Sequence, residues 1–400
     1  MREALEYLSM KTTSQPLESV LLNQSALLLA LSRAKLSAEA MRHYLDLIIA
    51  WIEAGADPKQ VAEDQTAEGE RLPSCIEHLT KAATDDLELW NDEGISAVPI
   101  TSNCYPQLLK SIFNPPPILF VRGNHESFAS RNHAIAIVGS RRSDGFGDNL
   151  AREFAKSLAA SNALIVSGLA LGIDGMSHRG ALDSGVKSAT VAILGNGLKT
   201  VYPKSHERLA SEIIDNGGAL ISQFEPKEIP YPSNFLSRNR IIAGLSNAIL
   251  VVQAADRSGS LVTARYGLEE GRDVLAVPGS IADQRFKGSN NLIRQGAHVV
   301  TCIEDVFDVL GVKKSKSESA KSIEASSPLE KDILQFLAKS QSVRLPELVR
   351  NFGGNEARLA VHSALLNLEL DGLIFKHPGD EISVNLGPIQ RSSLQLEFNR

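Results

Sequence analysis

Apolar positions change their spacing near residue 93 and again near residue 313. Before the first point, "SVLLNQSALLLALSRA" and "MRHYLDLIIAWIEAG" repeat apolar residues at helical intervals and show no strand pattern. Residues 1–92 are expected to form a helical domain. From residue 93 short, β-branched runs take over: "ISAVPI", "ILFV", "AIAIVG", "ALIVSG", "ATVAILG", "ALISQ", "AILVVQ", "VLAVPG" and "HVVTC". Most of the later runs are separated by amphipathic helical segments, such as Asp144–Ser161 and His206–Asn216. Apolar strands alternating with helices predict an α/β fold over 93–312, a mainly parallel sheet covered on both faces.

The stretch 313–328, "KKSKSESAKSIEASSP", contains one large apolar residue, Ile323, and is expected to be a flexible linker. Beyond it, "SPLEKDILQFLAK", "LPELVRNF", "EARLAVHSALLNLELDGLI" and "DEISVNL" predict three helices and a short hairpin. That is the order of a winged helix, placed at 329–388, with a tail at 389–400.

Composition sets the class. A chain of 400 residues, 43% hydrophobic and 22% charged, can bury a real core. Cys75, Cys104 and Cys302 are far apart and form no CxxC, which points to a reducing compartment and away from a disulfide frame or a zinc site. No apolar run approaches about 18 residues, and the N-terminus is polar and acidic, so neither a membrane span nor a signal peptide is expected. The expected location is the cytoplasm, with no metal and no cofactor.

The net charge of −6 is unevenly spread. Residues 1–92 carry 16 acids against 8 Lys and Arg, whereas 93–312 carry 20 against 21. A positive site in the middle segment must therefore be local.

Six of the middle strands run directly into loops rich in Gly, Ser, Arg or Asn: "GSRRSDGFG", "SGLALGIDGMSH", "GNGLKTVYPKSH", "QFEPKEIPYPSNFLSRNR", "QAADRSGSLVTA" and "PGS". In an open parallel sheet these loops share the carboxyl edge, where doubly wound folds bind ligands. "GSRRSDGFG" is not GxGxxG, no acid ends the second strand, and no GK[ST] is present, so neither a dinucleotide site nor a P-loop is expected. What remains is a glycine turn into a helix N-terminus, offering backbone N–H groups to an anion, beside Arg141. "RSGSLVTAR" places Ser258, Gly259, Ser260 and Thr263 at a helix start, where small residues allow a ligand to approach. Asp174 and His178 are four apart on a helix and read first as a structural hydrogen bond. Phe235 is either a core anchor or a stacking surface for a nucleobase.

"SRNR" poses the sharper question, because packing a helix on Ile241, Ile242 and Leu245 does not call for Arg238 and Arg240. The two arginines lie about 200° apart around a regular helix. If both are to reach one anion, the chain around Asn239 must be irregular and the helix must begin near Ile241. That is the expectation here, since "PYPSNF" opposes an early start. If instead the helix includes Arg238, one arginine turns away, and Glu225 or Asp256 would be its partner.

Taken together, "PPPILFVRGN", "AIVGSR", "SGLALGIDGMSHRGAL", "VAILGNGLKTVYP", "RNRIIAGLS", "SGSLVTARYGLEEGRDVLAVPG" and "GSNNLIRQGA" make the chain resemble the DprA family, also called Smf, the DNA-processing proteins of bacterial natural transformation. The resemblance spans about residues 93–302. It implies a helical SAM-like domain, an extended Rossmann-like domain and a winged helix. It further implies a homodimer that binds single-stranded DNA and loads RecA onto it, and that is not known as an enzyme. Carried over by motif, the DNA site would include Gly139, Ser140, Arg141, Lys204, Phe235, Arg238 and Arg240. With Asn239 and the Ser258, Gly259, Ser260, Thr263 group, these are the candidate DNA-binding residues. The chain departs from the family pattern at Cys104, Gln223 and Leu236.

Two other classes remain. Phosphoribohydrolases use the same sheet edge, but their PGGxGTxxE signature and its catalytic glutamate are missing from "VPGSIADQR". A duplex-reading regulator would work through the third winged-helix helix, which sets Glu356, Glu369 and Asp371 against Arg358, a poor match for a phosphate backbone. A protein-contact or accessory role fits that helix better.

Overall fold

Each of the nine β-branched runs becomes a strand of one sheet. The computed structural model describes residues 17–34, parts of 42–49, 76–311 apart from 129, 130 and 132, and 327–340, 343–352, 358–370, 374–377 and 381–384. Nearly all of the linker at 313–328, the tail at 389–400 and most of "MRHYLDLIIAWIEAG" lie outside the described residues. Contacts divide the chain into two compact units, Met1–Lys313 and Lys314–Arg400.

In the first unit, helices α1 (Leu17–Arg33) and α2 (Ile76–Asp92) precede β1 (Ile95–Pro99) and β2 (Ile118–Gly123). Then come β3 (Ala134–Val138), α3 (Gly145–Ala160), β4 (Leu164–Ser167), α4 (Ile173–Asp183), β5 (Thr190–Ile193), α5 (Glu207–Asp215) and β6 (Ala219–Ser222). Helix α6 (Pro232–Gly244), β7 (Ala248–Val251), α7 (Ser260–Glu269), β8 (Asp273–Ala276), α8 (Lys287–Arg294), β9 (His298–Val299) and α9 (Ile303–Leu310) complete it.

The sheet order is β1-β2-β6-β5-β4-β3-β7-β8-β9. Strands β3 to β9 pair in parallel, while β1 and β2 extend the β6 edge antiparallel. This is the extended Rossmann-like arrangement expected from the sequence. All five residues of β3 are buried, as a strand covered on both faces requires. Successive strands β3, β4, β5 and β6 march one way. The chain then returns through α6 and lays β7 on the opposite side of β3, with Val138 opposite Val251. The carboxyl ends of β3 and β7 thus flank the topological switch point, the natural crevice of such a sheet.

The helical N-terminal part shares this core. Leu28, Leu31, Leu87 and Trp90 belong to one buried cluster with Leu119 and Phe120, and the Trp90 ring meets Phe120 edge-on at 5.4 Å. Arg33, at the end of α1, bonds the Glu225 carboxylate at 2.8 and 2.9 Å and Asp86 at 2.7 Å, which ties α1 to the loop after β6.

The second unit contains α10 (Pro328–Ser340), β10 (Val343–Arg344), α11 (Leu345–Asn351), α12 (Arg358–Leu370), β11 (Ile374–His377) and β12 (Glu381–Val384). Three helices and a three-stranded sheet of order β10-β12-β11 close over Ile333, Leu337, Leu348, Val361 and Leu365, as a winged helix does.

Candidate functional site

A cavity of about 460 Å³ opens at the switch point. Its walls are Val138–Arg142 after β3, Ala170 and Asp174 at the start of α4, residues of α6 from Phe235 to Ile242, and Ala255–Thr263 at the start of α7. The first and last of these walls touch. The Ser140 N–H donates to the Gln253 carbonyl at 2.7 Å, and a Cβ on Gly139 would stand 2.9 Å from that same oxygen. Only glycine lets the two loops meet so closely.

Arg238 forms the floor. It is 3% exposed, and its guanidinium donates to the Gly168 carbonyl at 2.7 Å and to the Ile193 carbonyl, while Nε donates to Asn239 Oδ1 at 3.2 Å. The group lies against Gly168, where an added Cβ would stand 2.6–2.7 Å from the guanidinium. Burial lowers its pKa to about 10, and the nearby Asp174 opposes that shift. Asp174 is itself buried, accepts from the Gly168 N–H at 3.1 Å, and has its pKa raised by burial, with Arg238 pulling the other way. Arginine and aspartate therefore hold the same glycine from both ends of its peptide. Next to it Leu169 adopts φ +56°, an uncommon conformation for a bulky residue.

Asn239 donates through Nδ2 to the Gly259 carbonyl at 3.2 Å and so joins α6 to the start of α7. There the Ser258 and Ser260 hydroxyls lie 2.7 Å apart. At the mouth, the Arg141 guanidinium sits 5.5 Å from the Phe235 ring centroid, and the Tyr202 ring packs against Phe235 at 5.3 Å. The charged lining consists of Arg141, Arg142, Arg238 and Arg257, with the single carboxylate of Asp174. The positive site is thus local, as the balanced charge of the segment requires.

Ten of the twelve candidate residues line this cavity: Gly139, Ser140, Arg141, Phe235, Arg238, Asn239, Ser258, Gly259, Ser260 and Thr263. Lys204 and Arg240 do not. Lys204 is exposed in the loop that carries Tyr202.

Arg240 corrects the expectation for "SRNR". Helix α6 begins at Pro232, not near Ile241, and runs through Asn239 without irregularity. Proline restricts the residue before it, and Tyr231 is indeed extended, but proline itself suits the first helical turn. With a regular helix only one arginine can face the cavity. Arg240 turns away and donates to the carbonyls of Asn114 and Phe113 and, at 3.2 Å, to Gln223 Oε1. Neither acid proposed as its partner serves. Glu225 is held by Arg33, and Asp256 by Lys287 at 3.0 Å. Arg238, by contrast, is packed in the interior.

The helix N-terminus after "GSRRSDGFG" is a second correction. Asp144 caps α3, accepting from the Gly147 N–H at 2.9 Å, so a carboxylate of the chain already occupies the place foreseen for an external anion. His178 and Asp174 do not bond each other. The Thr190 hydroxyl donates to the Ile165 carbonyl at 2.8 Å, so its oxygen accepts from His178 Nδ1–H at 2.7 Å. Among the described residues His178 Nε2 is then a buried acceptor without a partner, and burial lowers the His178 pKa to about 3.

Sequence reasoning missed Arg142 and Arg257. Both stand beside motifs that were singled out, in "GSRRS" and "DRSGS", and either could have been found as the second cation of its loop.

Comparison with known proteins settles the family. The family model described as DNA recombination-mediator protein A matches residues 96–311, more than half of the chain. The chain belongs to the DprA family. The DprA winged helix domain matches residues 317–380. The Smf protein of Escherichia coli is 40% identical over 294 residues, covering 70% of this chain and 75% of that one. DprA of Streptococcus pneumoniae is 42% identical over 208 residues, covering 52% of this chain and 72% of that one. A solved structure of Streptococcus pneumoniae DprA matches with a TM-score of 0.58 and 31% identity, over 70% of this chain and 95% of that chain. DprA proteins are recombination mediators, not a known enzyme family.

Proposed function

We propose that the chain binds single-stranded DNA along the carboxyl edge of its sheet, with Arg141, Arg142, Arg238 and Arg257 meeting phosphates and Phe235 meeting a base. The observation that carries this reading is the convergence of four guanidiniums and an aromatic ring on one cavity of about 460 Å³. Guanidinium forks suit phosphate oxygens. An aromatic ring suits a base whose face is free, which is the condition of a single strand and not of a duplex.

The family's description as recombination mediators supports a role for the bound strand in recombination, and we propose that a homodimer delivers it to RecA in the cytoplasm during transformation. Among the described residues no helix is long and apolar enough to cross a membrane, and no group of three side chains could hold a metal. Helix α12 exposes Leu359 and Leu366 and, among its described residues, carries Arg358 as its one guanidinium. That surface favours a protein contact over a phosphate backbone.

The test is a binding titration of the full chain with a single-stranded oligonucleotide and its duplex at two salt concentrations. Single-strand binding should be tighter, and log affinity should fall with log salt with a slope above about 2, at roughly 0.7 per phosphate contact. A flat salt response would replace this reading with a small-molecule pocket.

A further inference from the structure

We infer that Tyr202 is a second nucleobase subsite, placed just outside the cavity, on which the base next to the Phe235 site stacks. The inference rests on the single-strand reading above and extends it to a residue that is not among the twelve candidates.

Phe235 is less available than its sequence context implies. Its ring is pressed on the backbone of Gly195, where an added Cβ would stand 2.6 Å from Cδ1. It is also approached by the Arg141 guanidinium at 5.5 Å and by the Tyr202 ring at 5.3 Å with a 43° tilt. Part of its ring is thereby covered, while the rest lines the cavity. Tyr202 is the partner that remains open. It is 46% exposed, and its hydroxyl makes no hydrogen bond among the described residues. Neither burial nor a polar anchor explains an aromatic ring held there.

The segment that carries the ring is nonetheless fixed on both sides, and the ring itself packs on Phe235. The buried Asn196 donates to the Thr200 carbonyl at 2.7 Å ahead of it. Behind it, His206 donates through its backbone to Pro203 at 2.9 Å and through Nδ1 to Leu169 at 2.9 Å. A pre-positioned aromatic ring loses little freedom when a flat ligand stacks on it. Two residues on, Lys204 is exposed and makes no ion pair among the described residues. An open ring beside a free cation matches the stacking-plus-phosphate pattern of single-strand grooves. Tyr202 and Lys204 therefore continue the path that Arg141 and Phe235 begin, and this gives Lys204 a place on the strand although it lies outside the cavity.

The test uses the full chain with an oligothymidylate and with an abasic phosphodiester strand of equal length. Tyr202→Ala should weaken oligothymidylate binding about tenfold, the loss of one stacked base, with the salt slope unchanged. Tyr202→Phe, which keeps the ring, should recover most of that loss. The abasic strand should bind Tyr202→Ala as it binds the parent protein. Tyr202→Trp provides a direct signal. Its added indole fluorescence, above the background of Trp51 and Trp90, should be quenched by the oligothymidylate and not by the abasic strand. The inference is overturned if Tyr202→Ala binds oligothymidylate like the parent, if it loses abasic binding equally, or if the indole is not quenched. Failure of the parent protein itself to prefer a single strand would overturn the underlying reading instead.

Discussion

Arg238 and Arg240, with Asn239 between them, leave the same helix on opposite sides. Arg238 enters the cavity and holds the carbonyls of Gly168 and Ile193, whereas Arg240 reaches back to Asn114, Phe113 and Gln223. One belongs to the candidate ligand site, the other fastens α6 to the segment between β1 and β2.

The two should part in mutation. Arg238→Ala should weaken single-strand binding at least tenfold, about 1.4 kcal/mol. It should also melt earlier, since the carbonyls it holds and the buried Asp174 lose a cation, at about 1–3 kcal/mol. Arg240→Ala should bind with an unchanged salt slope yet melt a few degrees lower, because hydrogen bonds from a charged donor contribute about 1.5–3 kcal/mol. Melting curves and salt-dependent titrations of both variants check this. Lost binding in Arg240→Ala at an unchanged melting temperature would return that residue to the DNA site.

Arg257 gives a simpler case, because it is exposed at the cavity rim and packs no core. Arg257→Ala should leave the melting temperature where it is and lower the salt slope by about 0.7, the contribution of one phosphate on a single strand. Equal slopes for the variant and the parent would remove Arg257 from the strand's path.

His178 should make stability depend on pH. Its folded pKa of about 3 lies below the ordinary 6.5, so below pH 6.5 the unfolded chain takes up a proton that the folded chain refuses. The stability it contributes is present above pH 6.5 and is lost as pH falls towards 3, at up to about 1.4 kcal/mol per pH unit. Chemical denaturation between pH 7 and 4 should give a shallower dependence for His178→Gln than for the parent, by one proton. Parallel curves would show that His178 is not held neutral.

Much of this protein could be read from spacing alone. All nine strands followed from β-branched runs, and helix α3 was placed within a residue at each end, because a buried strand must be apolar throughout and a covering helix must be apolar on one face. The cavity at the carboxyl edge was legible for the same reason. Alternation of strand and helix forces a parallel sheet, and a parallel sheet gathers its strand-ending loops on one edge.

What only the tertiary structure decided was which side chains of those loops face the cavity and which turn to partners within the chain. The sequence placed Asp144 at the start of a helix but could not show that it closes that helix end to outside anions. "SRNR" carried two equal cations, and their division depended on where α6 begins and on whether carbonyls of distant segments, Gly168 and Ile193 for one and Asn114 for the other, stand within reach. Gln223 meets Arg240 with an amide oxygen, a pairing formed between residues 17 apart in sequence. Local pattern is set by backbone geometry and burial, which repeat with fixed periods. Partner choice is set by contacts between segments far apart in the chain, and no period encodes those.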